Sequence, residues 1–378
     1  MTQKERERVT QKERERLRMT QVKMMTTKRY TMKMIAEELG VSISTVERVI
    51  NKRGGIGPDT EKRVRDFVEA VGFRPNQVGR SLVRNKEKHI HILFHANDNE
   101  FLEDLKHGVA AAEEELVSYG FVIHTHVVHK NSAEQLRVLK QIVREGADGV
   151  ALSPYEPEKF VDLVNELVDQ GLPVITLNND IPESRRLCYV GSDYTATGYL
   201  AGEMLGKLVK QGKVLVIQHW DYWHQTLRLT GFRNAMREFP GIEVMGPFDS
   251  DREMDLYSYL QHFSKQENSA DIKGIFSMVG NRGENANLCM AIKELYGKSV
   301  DVVTYDLNSE CVYWMQEGVI TATVTQDPFA QGFYAAKILS RLLSGDNKIS
   351  QSVYHTKIEI VMKGNIHNYL NNYKLALL

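Results

Sequence analysis

The sequence predicts two architectures in one chain: an N-terminal all-α helix-turn-helix headpiece, then an α/β body of two parallel-sheet lobes around a ligand cleft. Three observations carry this expectation. Two short helical patterns joined by a Gly-containing turn lie between residues 31 and 51. From residue 89 onward, short apolar runs alternate with longer amphipathic segments. Charge divides along the same line: residues 1–27 carry a net +4, residues 28–88 a net +6 and residues 89–378 a net −11, giving −1 for the chain. At 378 residues, two or three domains with a sizeable core are expected.

The headpiece reads as three helices. Thr31 can cap a first helix with Ile35, Ala36 and Leu39 on one face, and Gly40 ends it. Ser42 can cap a second, from Ile43 to Asn51, that buries Val46, Val49 and Ile50. A third has Pro58 in its first turn, Val64, Phe67, Val68 and Val71 at core spacing, and Gly72 as its stop. A small basic module on an acidic body suits a polyanion held by one end of the molecule. The repeat TQKERER, at residues 2–8 and 10–16, offers almost nothing for burial. Residues 1–27 are therefore expected to be a charged, disordered tail, and Met19, Met24 and Met25 sit nearer to where the headpiece begins.

The runs IAEELGVSISTVERVIN (35–51), T-x-x-RV (60–64) and GFRPNQVGRSL (72–82) closely resemble the headpiece of the lactose-repressor (LacI/GalR) family of bacterial transcription regulators. The resemblance implies that Ile43, Ser44 and Arg48 read base edges of double-stranded operator DNA. Arg48 can pair bidentately with guanine, Ser44 suits either base type, and Ile43 can meet a thymine methyl. Thr45, Asn51 and Thr60 fall where the family contacts the DNA backbone, which sets register without reading sequence. Residues 28–75 are thus expected to form the headpiece and 76–87 a hinge helix and linker. In the family such a hinge folds only on DNA, and Leu82 corresponds to its minor-groove wedge. Three positions depart from the pattern: Glu47 for a small polar residue, Gly57 for a hydroxyl cap, and Gly79 for the hinge alanine. Gly79 should cost the hinge helix about 1 kcal/mol.

In the body, strands are expected at 89–94, 121–128, 149–153, 173–178, 213–218, 243–248, 274–279, 300–306 and 320–326. Amphipathic segments between them, such as 101–118 and 284–296, make crossover helices on both sheet faces. A break after Asp193 divides the body, 88–378, into an N-lobe near 88–193 and a C-lobe near 194–326, with the chain crossing back towards its end. Ligands of such sheets sit beyond the C-terminal strand ends. Those ends are polar here: His95 to Asn99, Ser153, Asn178 to Asp180, His219 to His224, Asn281, Asp306 and Gln326. With Phe101, Trp220 and Trp223 nearby, they suit a sugar, whose hydroxyls need polar partners and whose apolar face stacks on aromatic rings.

The resemblance continues through DGVALSP (148–154), LPVITLNND (172–180), YVGSDYTATG (189–198), RLTGF (228–232), VVTYD (302–306) and TVTQDPFAQG (323–332), where the body looks like a type I periplasmic sugar-binding protein of the ribose-binding kind. It implies ligand contacts from Asp98, Phe101, Ser153, Asn178, Asn179, Arg228, Asn281, Asp306 and Gln326. Asn178-Asn179 replaces the Asp-Arg pair of ribose binders, which implies a different small sugar or polyol.

Other chemistries find little support. His89/His91 and His124/His126 each share a strand face and could ligate metal, but solvent-face histidines are the commoner reading, and no metal or cofactor is expected. Gly55-x-Gly57 follows a helix and so reads as a turn, and no G-x-S-x-G, H-E-x-x-H or P-loop lysine motif occurs. The chain is not expected to be an enzyme. No run approaches the ~18 apolar residues of a membrane span, and no apolar leader follows the charged start. Cys188, Cys289 and Cys311 are scattered and read as reduced, buried thiols in the cytoplasm. The resemblance implies a homodimer on a palindromic operator, because one headpiece covers too little DNA for tight specific binding. Two other readings remain open: a solute-binding protein of sugar transport, or a sugar-converting enzyme, for which no catalytic dyad is apparent.

Overall fold

The computed structural model describes residues 32–50, 54–71, 87–95, 100–129, 131–218, 223–249, 256–265, 271–279, 284–345 and 349–370. The chain divides into two compact units, residues 1–86 and 87–378. The charged tail and the hinge segment lie outside the described residues.

In the first unit, α1 (Met32–Leu39), α2 (Ile43–Ile50) and α3 (Pro58–Ala70) meet the expected pattern. The Ser42 hydroxyl accepts from the Thr45 amide at 3.1 Å, which is the N-terminal cap of α2. Gly40 takes φ 63° in the turn, a conformation in which a Cβ would be strained. Ile35, Ala36, Val46, Val49 and Val64 form the core, with Phe67 and Val68 packed against it. Arg63 donates to the Leu39 carbonyl at 3.0 Å, tying α3 to an orphan acceptor at the end of α1.

The second unit alternates strand and helix. Its elements begin with β1 (Lys88–His95), α4 (Glu100–Leu116), β2 (Phe121–Val128), α5 (Ser132–Arg144), β3 (Gly149–Leu152), α6 (Val161–Asp169), β4 (Val174–Leu177) and β5 (Tyr189–Gly191). Then follow α7 (Tyr194–Val209), β6 (Gly212–Gln218), α8 (Trp223–Met236), β7 (Ile242–Asp249), α9 (Leu256–Ser264), β8 (Ile272–Ser277), α10 (Glu284–Leu295) and β9 (Asp301–Tyr305). The run closes with α11 (Ser309–Glu317), β10 (Ala322–Thr325), α12 (Pro328–Leu343), β11 (Val353–His355), β12 (Glu359–Val361) and α13 (His367–Leu370). Two six-stranded sheets result, ordered β11-β5-β4-β3-β1-β2 and β12-β10-β9-β8-β6-β7. Neighbouring strands are parallel except for β10 and β12. β3 and β4 are buried along their whole length, as strands covered by helices on both faces must be.

Each lobe borrows a helix across the cleft. Ala201 and Leu205 of α7, which follows the N-lobe strand β5, pack with Val214 and Val216 of the C-lobe. Ala335, Ala336 and Leu339 of α12, which follows the C-lobe strand β10, pack with Ile90, Ile92 and Phe94 of the N-lobe. The chain therefore crosses between lobes three times, after β5, after β10 and after β11. β12 and Ile366 join the C-lobe sheet and core. All nine expected strands are present. The other three, β5, β11 and β12, have three residues each, too few to show a period. Cys188, Cys289 and Cys311 are free and buried.

Candidate functional site

Three non-glycine residues at or just after C-terminal strand ends take left-handed backbone: Asn178 after β4 (φ 59°), Asp306 after β9 (φ 60°) and Asp327 after β10 (φ 50°). Asn and Asp tolerate this region better than other side chains, and such strain gathers where a site over-determines the backbone. Two of the three are expected ligand residues.

The C-lobe side of the cleft is built around Arg228 on α8. Its guanidinium carbon lies 4.1 Å from the ring centre of Tyr305 and 4.9 Å from that of Tyr194. Its buried Nε has no hydrogen-bond partner among the described residues. Asp306 accepts from the Gln326 amide at 2.8 Å, while the buried Gln326 Oε1 is unpartnered. Burial raises the Asp306 carboxyl above its ordinary range, and Arg228 and Gln326 oppose that shift. Burial likewise holds the His224 imidazole well below its ordinary value, reinforced by Arg228 and His95, so it stays neutral.

The N-lobe side is built mainly from neutral groups, with the buried Asp180–Arg186 ion pair next to Asn178 and Asn179 in the chain. Tyr194 donates to the Asn178 carbonyl at 2.7 Å and lies 3.1 Å from Asn178 Oδ1. Tyr189 donates to the same carbonyl at 2.8 Å. Burial pushes the Tyr194 phenol up to about 12, so it remains a donor. His95 Nδ1 is 3.2 Å from both the carbonyl and the hydroxyl oxygen of Ser153. Asn179 spends its amide on the Pro154 carbonyl at 3.0 Å, and Phe101 packs partly against the N-lobe core. The crossovers are laced together beside this cluster. Thr356 donates its amide to the Gly191 carbonyl at 2.8 Å and its hydroxyl to the Gln326 carbonyl at 2.9 Å; Gln331 donates to the latter at 3.0 Å.

The fold thus gathers Ser153, Asn178, Arg228, Asp306 and Gln326 with aromatic faces and unpartnered buried polar atoms. Such atoms cost free energy until something pairs with them. A small neutral molecule with several hydroxyls and an apolar face meets those demands. Asp98 and Asn281 lie outside the described residues, as does Trp220. Sequence reasoning did not single out Tyr189, Tyr194 or Tyr305. A signal was present for two of them: Tyr305 ends β9 and Tyr194 follows β5, where polar groups gather, whereas Tyr189 opens β5.

The paired histidines form a ladder across β1 and the edge strand β2. His89 Nδ1 lies 3.0 Å from His124 Nε2, and His91 Nδ1 lies 3.0 Å from His126 Nε2. His91 and His124 stack at 4.5 Å. Among the described residues, no group of three or more His, Cys, Asp or Glu is arranged to hold a metal.

On the headpiece, Ser44 and Arg48 are exposed one turn apart on the same face of α2. Ile43 beside them is 48% exposed. Thr45 and Thr60 are half-buried. Arg48 lies over Gly55, where a Cβ would come within 3.0 Å of the guanidinium. Asn51 and Leu82 lie outside the described residues.

Comparison with known proteins agrees with both units. Residues 90–347 match the periplasmic binding protein domain, and residues 31–76 match the bacterial regulatory proteins of the lacI family. The chain belongs to the periplasmic binding protein domain family and carries a lacI-family domain at its N-terminal end. It is 26% identical over 320 residues to the HTH-type transcriptional regulator RegA of Clostridium saccharobutylicum, covering 83% of this chain and 92% of that protein. The fold is shared with a sugar-binding protein of a Bacillus halodurans sugar ABC transporter (TM-score 0.68, 22% identity, 75% of this chain and 100% of that one). It is shared too with GanP, a glucose-galactose binding protein of Geobacillus stearothermophilus (TM-score 0.65, 24% identity, 75% and 99%). These relatives are regulators and binding proteins rather than enzymes.

Proposed function

We propose that the protein is a DNA-binding transcriptional regulator, in the main a repressor, of carbohydrate use. In this reading it binds a palindromic operator as a homodimer and responds to a small sugar or polyol held between the lobes. The observation that carries it is the buried Arg228, flanked by Tyr194 and Tyr305 beside the Asp306–Gln326 pair, in a chain that also has a lacI-type headpiece. Ile43, Ser44 and Arg48 are the base readers in this reading, Thr45, Asn51 and Thr60 the backbone contacts, and Leu82 the minor-groove wedge. The ligand contacts in this reading are Asp98, Phe101, Ser153, Asn178, Asn179, Arg228, Asn281, Asp306 and Gln326. No helix among the described residues is long and apolar enough to cross a membrane, and the proposed place of work is the cytoplasm with the DNA.

A ligand controls DNA binding only through different affinities for two conformations. Closing the lobes on a sugar is the proposed switch, acting on the spacing of two hinge segments in the dimer. Isothermal titration with a panel of sugars and polyols, with and without operator DNA, tests this. Binding of one member that shifts by tenfold or more on adding operator is expected; ligand binding indifferent to DNA would favour a solute-binding protein instead. Arg48→Ala should relax preference at one base pair per half-site, costing about 1–3 kcal/mol.

A further inference from the structure

The lobes touch at a point outside the polar cluster. Glu100 opens α4 in the N-lobe, one residue before Phe101. Ser309 opens α11 in the C-lobe, three residues after Asp306. The Ser309 amide donates to Glu100 Oε2 at 2.8 Å, and the Ser309 hydroxyl donates to the other carboxylate oxygen. The first turn of a helix leaves amides without intrahelical acceptors and carries partial positive charge. In α11 one of these, from Cys311, is taken at 2.8 Å by the side chain of the helix's own cap, Asn308. Another is taken by a carboxylate from the opposite lobe, 209 residues away in sequence.

We propose that Glu100 is an inter-lobe latch, a carboxylate that caps α11 across the cleft and holds the two lobes closed. The placement supports this reading in two ways. Both partners sit on the segments that carry candidate ligand residues, Phe101 on one and Asp306 on the other, so moving the lobes apart must break the cap. The pair is also solvent-exposed, where charge-assisted bonds are weak enough to open and reform, as a reversible gate requires. The hinge crossovers resist separation through the Gln331–Thr356 lacing; the latch acts on a different pair of elements and sets how often the cleft opens.

The test needs neither ligand nor DNA, so its failure would leave the regulator reading untouched. Hydrogen exchange on the full-length protein is followed for peptides spanning residues 309–311, 90–94 and 302–305, alongside small-angle scattering. Glu100→Ala should speed exchange in the first by about tenfold, leave the two core strands unchanged and raise the radius of gyration. Glu100→Gln, which keeps the shape and one acceptor oxygen, should fall between the variant and the parent. Ser309→Ala removes only the hydroxyl bond and should give a smaller change in the same direction. Unchanged exchange at 309–311 overturns the proposal. Faster exchange there without expansion also overturns it, because Glu100 would then be a local cap. If Glu100→Ala disturbs the core strands, the two milder variants decide on the same criteria.

Discussion

The N-lobe and C-lobe repeat one construction: six strands in matching order, one helix borrowed across the cleft, and a helix pair closed through glycine. In the N-lobe, a Cβ at Gly108 of α4 would lie 2.0 Å from the Phe329 carbonyl, and one at Gly332 of α12 would lie 2.1 Å from that of Leu105. In the C-lobe, a Cβ at Gly198 of α7 would lie 1.9 Å from the Arg228 carbonyl, and one at Gly231 of α8 would lie 1.9 Å from that of Thr195. Equal scaffolds carry unequal chemistry. Arg228 and Asp306 stand on the C-lobe, while the N-lobe offers hydroxyl, amide and phenol groups, its buried charges Asp180 and Arg186 being paired with each other. The comparison shows that backbone contact sets the shape in both lobes, and in the C-lobe it also carries Arg228, the group around which that side of the cluster is built.

The sharpest way to break that division is to remove the ion. Arg228→Ala should weaken ligand response by about 100-fold, because bonds to charged groups are worth about 1.5–3 kcal/mol, while unliganded operator binding stays nearly unchanged. Calorimetry and operator titration measure the two separately. A loss of both would show that Arg228 supports the fold rather than the ligand.

The glycine contacts sharpen the same point. Gly198→Ala and Gly108→Ala should each lower stability by about 1–3 kcal/mol or more through overpacking. Denaturant unfolding would show similar costs, yet Gly198→Ala should also weaken ligand binding, because the added methyl displaces the backbone of Arg228. Equal ligand affinity in the two variants would separate Arg228 from the glycine contact.

Acid should weaken the lobes through their buried histidines. Burial, then His124, His126 and His89, hold the His91 imidazole down at about 4, with Glu145 opposing. Burial lowers His126 as well. In the unfolded chain these groups titrate near 6.5, so between pH 6.5 and about 4 the unfolded state takes up protons that the folded state refuses. Stability is therefore full above pH 6.5 and falls as the pH drops towards 4. Exchange rates in β1 and β2 should rise over this window, His91→Leu should flatten that slope, and the buried His224 should impose a loss of the same sign on the C-lobe. The smallest effect belongs to Asn178→Gly, which keeps the left-handed backbone and removes one amide; ligand affinity should drop by about tenfold or less. A larger loss than that of Arg228→Ala would reverse the assignment of the lobes.

What the sequence determined by itself lies within a few residues of each position. Helix periods, the Ser42 and Gly57 caps, and the apolar runs of nine strands depend on near neighbours, and they were legible from residue order. The polar strand ends were legible too, because residues such as Asp306 and Gln326 break an apolar run where a core position would continue it. The tertiary structure decided what joins distant segments. Which helix each lobe borrows, the stacking of Arg228 between Tyr194 and Tyr305, the pairing of four histidines across β1 and β2, and the cap that Glu100 places on α11 all depend on how separate segments are packed together. Such contacts have no period and no local signature, since each depends on where two segments far apart in sequence come to rest against a shared core.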